Sequence, residues 1–149
     1  EFYYGEFFKG KTKEEAHREF FEETLKCVKA FDCFNVLGHL DYIVRYGPYQ
    51  DKTVDHAKYQ DIIDEIFKTL IKKGKGIEVN TSGYKDLKIC GFPNYEQVQR
   101  YYDLGGRIIT IGTDSHTSDR VGENCLTVAK KYQEIGFEDV STFTGRVKD

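Results

Sequence analysis

A chain of 149 residues is long enough for one domain with a real core and too short for two ordinary ones, so residues 1–149 read as a single unit. It has 39% apolar and 32% charged residues, two prolines, and a formal net charge of −3 from 22 basic and 25 acidic side chains; this describes a soluble globular protein and excludes a field that would draw nucleic acid or a membrane surface. Apolar runs stop after a few residues, and Glu1, Phe2, Tyr3 and Tyr4 lack the basic-then-apolar layout of a secretion signal, so no membrane partner and a cytoplasmic location are expected.

The start is unusual. Phe2, Tyr3, Tyr4, Phe7 and Phe8 crowd into eight residues without strand or helix period, which suggests a segment cut from something it packs against. Thr12 and Glu15 then form a capping-box pattern, and Ala16, Phe20, Phe21, Leu25 and Val28 follow at helical spacing, which predicts a helix over 13–30. His17, among Glu14, Glu15, Arg18 and Glu22, reads as a surface residue. The run 34–37 reads as a buried strand opening into Gly38, His39, Leu40 and Asp41. A second helix is expected over 55–73 from the stripe Tyr59, Ile62, Ile63, Ile66, Phe67, Leu70 and Ile71, with His56 on its surface. Strand 76–80, helix 94–104 closed by Gly105 and Gly106, strand 107–111, helix 120–135 ended by Gly136, and a final strand around 139–143 complete the pattern. Strands alternating with helices of ten to twenty residues indicate βα units, a parallel sheet and the α/β class.

Neither GxGxxG nor GxxxxGK[ST] is present, so dinucleotide and P-loop chemistry are unsupported. Cys27, Cys33, Cys90 and Cys125 form no CxxC pair, which argues against a thiolate zinc site and a disulfide framework and leaves reduced, mostly buried thiols as the expectation. Chemistry is therefore sought just after the strands, where parallel α/β folds collect their ligands. Asp114 and His116 lie two apart at a strand end, and in extended backbone such side chains point the same way; a carboxylate and an imidazole aimed into one cavity suit zinc, manganese or iron. The plainer alternative is a turn-capping Asp114 beside a surface His116. His39 and Asp41 repeat the spacing, with a core histidine and a loop-capping carboxylate as the alternative. Glu78 and Asn80 make one face of a buried strand polar, which suits either a polar barrel interior or groups that orient ligands or touch substrate, the latter slightly preferred. Arg45, in a loop with Tyr42, Tyr46, Gly47 and Pro48, carries a guanidinium that could clamp phosphate in bidentate fashion, although on its own it is one of many surface arginines.

Three segments taken together resemble the later motifs of the polymerase-and-histidinol-phosphatase (PHP) family, in its histidinol phosphatase branch: residues 35–42 with Arg45 and Tyr46, residues 76–83, and Ile111-Gly112-Thr113-Asp114-Ser115-His116. The first is similar to the family's GHxD strand end, the second to its E-[IV]-N-[ST]-S-G strand, and the third to its [ST]DxH motif; residues 136–140 resemble its final helix-to-strand passage. The resemblance implies the C-terminal part of a distorted (β/α)7 barrel with up to three divalent ions, zinc, manganese or iron. His39, Asp114 and His116 would be metal ligands, Asp114 and His116 would serve catalysis, and Arg45 and Asn80 would contact substrate. The family's N-terminal HxH motif, its next histidines and a bridging glutamate are absent. The implied function is hydrolysis of a small phosphomonoester, L-histidinol phosphate, with this chain incomplete for activity and dependent on a missing N-terminal half-barrel or self-association. Another PHP phosphoesterase or nuclease, and a non-catalytic module docking through an aromatic edge at Phe2 to Phe8, are the competing readings.

Overall fold

The computed structural model describes residues 5–86 and 91–149. At its centre three parallel strands, β1 (Val36–Leu37), β2 (Gly76–Asn80) and β3 (Ile109–Gly112), lie in the order β1-β2-β3, with Leu37 opposite Ile77 and Asn80 opposite Gly112. Parallel neighbours require a crossover, which a helix supplies most simply. Here α2 (Gln60–Lys72) links β1 to β2, and α4 (Tyr95–Asp103), after the short α3 (Ser82–Asp86), links β2 to β3. Helix α1 (Lys13–Ala30) precedes the sheet and α5 (Cys125–Ile135) follows it. The alternation read from the sequence is thus an α/β fold, and all three strands run out at one edge.

Local chemistry explains the elements. Thr12 Oγ1 accepts from the Glu15 backbone N–H at 3.3 Å and Glu15 Oε2 accepts from the Thr12 N–H at 2.8 Å, satisfying two donors that the first turn of α1 would otherwise leave open. Helix α2 buries Ile62, Ile63, Ile66, Phe67 and Leu70 on one stripe against α1 and the sheet, each worth about 1.5–3 kcal/mol of transfer free energy. It ends where Gly74 takes φ 65° and Lys75 N–H reaches back to Leu70 O at 2.8 Å. The Asn94 side chain caps α4 by accepting from Gln97 N–H at 3.0 Å.

Several boundaries differ from the expectation. The predicted helix over 55–73 divides into a 3₁₀ turn, His56–Tyr59, and α2. The helix expected from 120 begins at Cys125, because Gly122 and Asn124 both adopt left-handed backbone, φ 80° and 63°. Strand 107–111 moves to Ile109–Gly112. In place of a strand over 139–143, Ser141 N–H bonds Ile109 O at 2.8 Å beside β3, and β4 (Phe143–Thr144) pairs antiparallel with β5 (Val147–Lys148).

The aromatic start is also corrected. Phe2, Tyr3 and Tyr4 lie outside the described residues, but Phe8 is buried in a second cluster with Ala16, Ile43, Val44 and Phe92, with Phe7 packed against it. Phe7 and Phe8 thus belong to an interior cluster with the loop after β1 and do not form an exposed docking edge. Cys27 and Cys33 are exposed and Cys125 half-buried, contrary to the expectation of buried thiols; Cys33 lies in the turn after α1, away from the apolar stripe, and Cys90 lies outside the described residues. Among the described residues, no helix is long and apolar enough to cross a membrane.

Candidate functional site

The candidate groups follow the strands along the edge where β1, β2 and β3 end. After β1, His39 sits at φ 32°, sparse territory for a residue with a Cβ, and its N–H donates to Glu78 Oε2 at 3.2 Å. After β3, Asp114 takes φ 49°, and the Asp114 carbonyl accepts a hydrogen bond from His116 Nδ1 at 2.9 Å. A carbonyl can only accept, so Nδ1 carries the proton and the neutral ring presents its lone pair at Nε2. This is the arrangement in which a backbone carbonyl orients a metal-binding imidazole. Asp114 and His116 are both exposed and His39 is half-buried.

The two strand ends that carry His39 and Asp114 close on one carboxylate. A Cβ on Gly112 would stand 2.2 Å from Glu78 Oε1, and one on Gly38 would stand 3.2 Å from Oε2, so Glu78 fills a gap that exists only because both neighbours are glycine. His39 and Asp114 thus each lie within two residues of a Glu78 contact. Among the described residues, however, no three His, Cys, Asp or Glu side chains are gathered closely enough to hold an ion. The donor types fit a divalent cation; the set present is a part of one.

Arg45 and Asn80 do meet, through a residue the sequence reading passed over. Ser82 N–H donates to Asn80 Oδ1 at 3.0 Å, and Arg45 Nη2 donates to Ser82 Oγ at 2.7 Å. Asn80 is buried and braces the turn into α3. The Arg45 guanidinium lies 4.9 Å from the Tyr42 ring centroid and 5.9 Å from that of Phe92, and the other stacked partner of Tyr42 is His39, with centroids 4.1 Å apart and planes 25° apart. His39, Tyr42 and Arg45 are spaced by three, the period of the 3₁₀ turn Tyr42–Arg45 and of the His39 O to Tyr42 N bond before it. That spacing was the available signal for Tyr42.

Asp41 and His17 are buried, and His56 is half-buried, although both histidines read as surface residues in the sequence. Asp41, 3% exposed, accepts from the Asn94 N–H at 3.2 Å through Oδ2 and bonds His56 Nε2 at 3.0 Å through Oδ1. It therefore ties the loop after β1 to the start of α4, the loop-bracing role allowed for it. Burial alone would lower the His56 pKa, but the Asp41 hydrogen bond and charge outweigh it and raise the ring above its ordinary value. A cavity of about 260 Å³ runs beside this pair, lined by Lys52, Thr53, Val54 and Asn94 among others; His39, Asp114 and His116 do not line it. His17, 1% exposed, packs edge-on to Tyr49 and tilted to Tyr59, and burial pushes its pKa down to about 4. It lies one helical turn before Phe20 and Phe21, on the inward stripe of α1.

A family model described as the PHP domain matches residues 1–82, more than half of the chain. The chain belongs to the PHP domain family. Within that family it is 39% identical over 140 residues to the histidinol-phosphatase of Lactococcus lactis, covering 94% of this chain and 52% of that protein. It is 36% identical over 126 residues to a probable histidinol-phosphatase of Thermotoga maritima, covering 84% of this chain and 51% of that protein. The crystal structure of the Lactococcus lactis histidinol phosphate phosphatase, complexed with zinc, L-histidinol and phosphate, superposes with a TM-score of 0.88 over 97% of this chain and 54% of that one. The PHP chain described here thus spans about half the length of the curated relatives it matches, and its fold is that of the corresponding part of a PHP phosphatase.

Proposed function

We propose that these residues form part of the divalent-metal site of a phosphatase that hydrolyses L-histidinol phosphate. The observation that carries this reading is the edge itself: His39 and the Asp114–His116 pair follow β1 and β3, the two parallel strands that flank β2, both ends close on Glu78 of β2, and His116 is held in the tautomer that presents Nε2. The relative that superposes on this chain binds zinc, L-histidinol and phosphate. By this reading His39, Asp114 and His116 are ligands, Asp114 and His116 belong to the catalytic centre, and zinc, manganese or iron in up to three positions is the cofactor. Bound ions of this kind lower the pKa of a water molecule and balance charge building on the phosphoryl oxygens. Arg45, fixed by Ser82 and stacked on Tyr42, places a planar cation at the rim where a phosphoryl group can be clamped, and Asn80 holds the turn that carries Ser82.

In a protein spanning the full length of the relatives, phosphate release from L-histidinol phosphate, assayed beside cleavage of single-stranded DNA, tests the substrate class: release without cleavage is expected, and the reverse would replace this reading with that of a nuclease. In the same protein Arg45→Ala should raise KM for the phosphate ester by about tenfold or more, the worth of a charge-assisted contact, while metal content stays unchanged. Metal loss with an unaltered KM would remove Arg45 from the substrate side of the site.

A further inference from the structure

A carboxylate at the third position of a five-residue central strand needs a reason. Its neighbours Ile77 and Val79 are fully buried, and the strand is flanked on both sides by parallel partners. A buried-strand position of this kind normally carries an apolar residue. Glu78 instead extends to the strand ends on either side: Oε2 receives the His39 N–H at 3.2 Å, and Oε1 occupies the space beside Gly112 that any side chain there would fill. Gly38 leaves the matching space next to Oε2. His39 at φ 32° is a conformation an L-residue adopts only when something holds it, and its N–H donates to this carboxylate.

We propose that Glu78 is the positioning residue of the site: it tethers the loop carrying His39 through the backbone N–H, packs into the gap left by Gly38 and Gly112, and so fixes the separation between His39 and the Asp114–His116 pair. The inference rests on the metal reading above. Glu78 acts through its neighbours and donates no oxygen to the ion, so its hydrogen-bonding shape matters and its charge does not. Glutamine keeps the shape and an acceptor oxygen; alanine keeps neither. Gly112→Ala drives a methyl group into Oε1 and should imitate the loss of Glu78 without touching it.

The first arm needs no metal. In the 149-residue chain, amide hydrogen exchange at His39, followed by NMR, should accelerate by about tenfold in Glu78→Ala and in Gly112→Ala and stay within about threefold of wild type in Glu78→Gln. Unaltered His39 exchange in Glu78→Ala overturns the tether, and exchange at the buried amides of β2 reports whether each variant is folded. The second arm measures zinc affinity by chelator competition in the full-length protein. Glu78→Ala should weaken it by about 10- to 100-fold, the usual cost of losing a group that orients a ligand, with Glu78→Gln close to wild type. A loss in Glu78→Gln as large as in Glu78→Ala overturns the proposal in favour of direct coordination by the carboxylate. If wild type binds no zinc while His39 exchange follows the expected order, the metal reading fails and the tether stands.

Discussion

The 149 residues by themselves should hydrolyse L-histidinol phosphate at less than about a thousandth of the rate of a full-length relative, the factor that losing several kcal/mol of metal-assisted stabilisation implies. Ligand number sets this limit. Each ion in such a site needs about three protein ligands to stay in place, and phosphoryl transfer needs ions fixed so that attacking and transferred oxygens are both held. The proposed assignment gives this chain three ligands, His39, Asp114 and His116, and its described residues gather no group of three potential ligands at one point. It also spans only about half of the Lactococcus lactis relative. Adding the half of that relative with which this chain does not align, fused or in trans, should restore turnover in the presence of Zn²⁺ or Mn²⁺. Full activity from the 149 residues alone would show that the ligand set is complete within them and that its assembly has been misjudged.

The parts of the fold legible in the sequence were those set by short-range chemistry. Helix α1 begins and ends where the capping box and the Ala16, Phe20, Phe21, Val28 stripe place it, and β2 matches the alternation of Ile77 and Val79 with polar residues. The start of α5 was not legible from apolar spacing, because Leu126 and Val128 continue a pattern that the left-handed Asn124 interrupts. Residue types and strand-end placement single out His39, Arg45, Asn80, Asp114 and His116 as candidates, but no local pattern says that Glu78 lies between two glycines from different strands, a contact made only when the sheet forms. The sequence hides the burial of His17, because four charged neighbours outweigh its spacing to Phe20 and Phe21. It hides the pairing of His56, because the partner Asp41 is fifteen residues away and is brought to it by the packing of the loop after β1.

Those two histidines should give the stability of the chain opposite dependences on pH, and the acid limb is the larger, better defined effect. His17 is fully buried, Nδ1 finds no hydrogen-bond partner among the described residues, and desolvation aided by the Lys13 charge lowers its pKa from 6.5 to about 4. Between those values the unfolded chain binds a proton that the native chain refuses, so stability rises with pH across the window and is lost as pH falls through it. At about 1.4 kcal/mol per pH unit the full loss is roughly 3 kcal/mol, a large share of the about 5–15 kcal/mol typical of a domain. His56 has the opposite sign. Its folded pKa is raised by Asp41 against the cost of burial, so its contribution is fully present below 6.5 and disappears as pH rises through the higher folded value. Urea unfolding midpoints measured from pH 4 to 8.5, at constant m, should therefore fall on both sides of a maximum near or just below neutrality. His17→Phe should flatten the limb between pH 6.5 and 4 whatever it does to stability at pH 7, and His56→Gln should flatten the alkaline limb alone. An acid limb that keeps its slope in His17→Phe would assign that proton to another group and leave His17 as an ordinary packed ring.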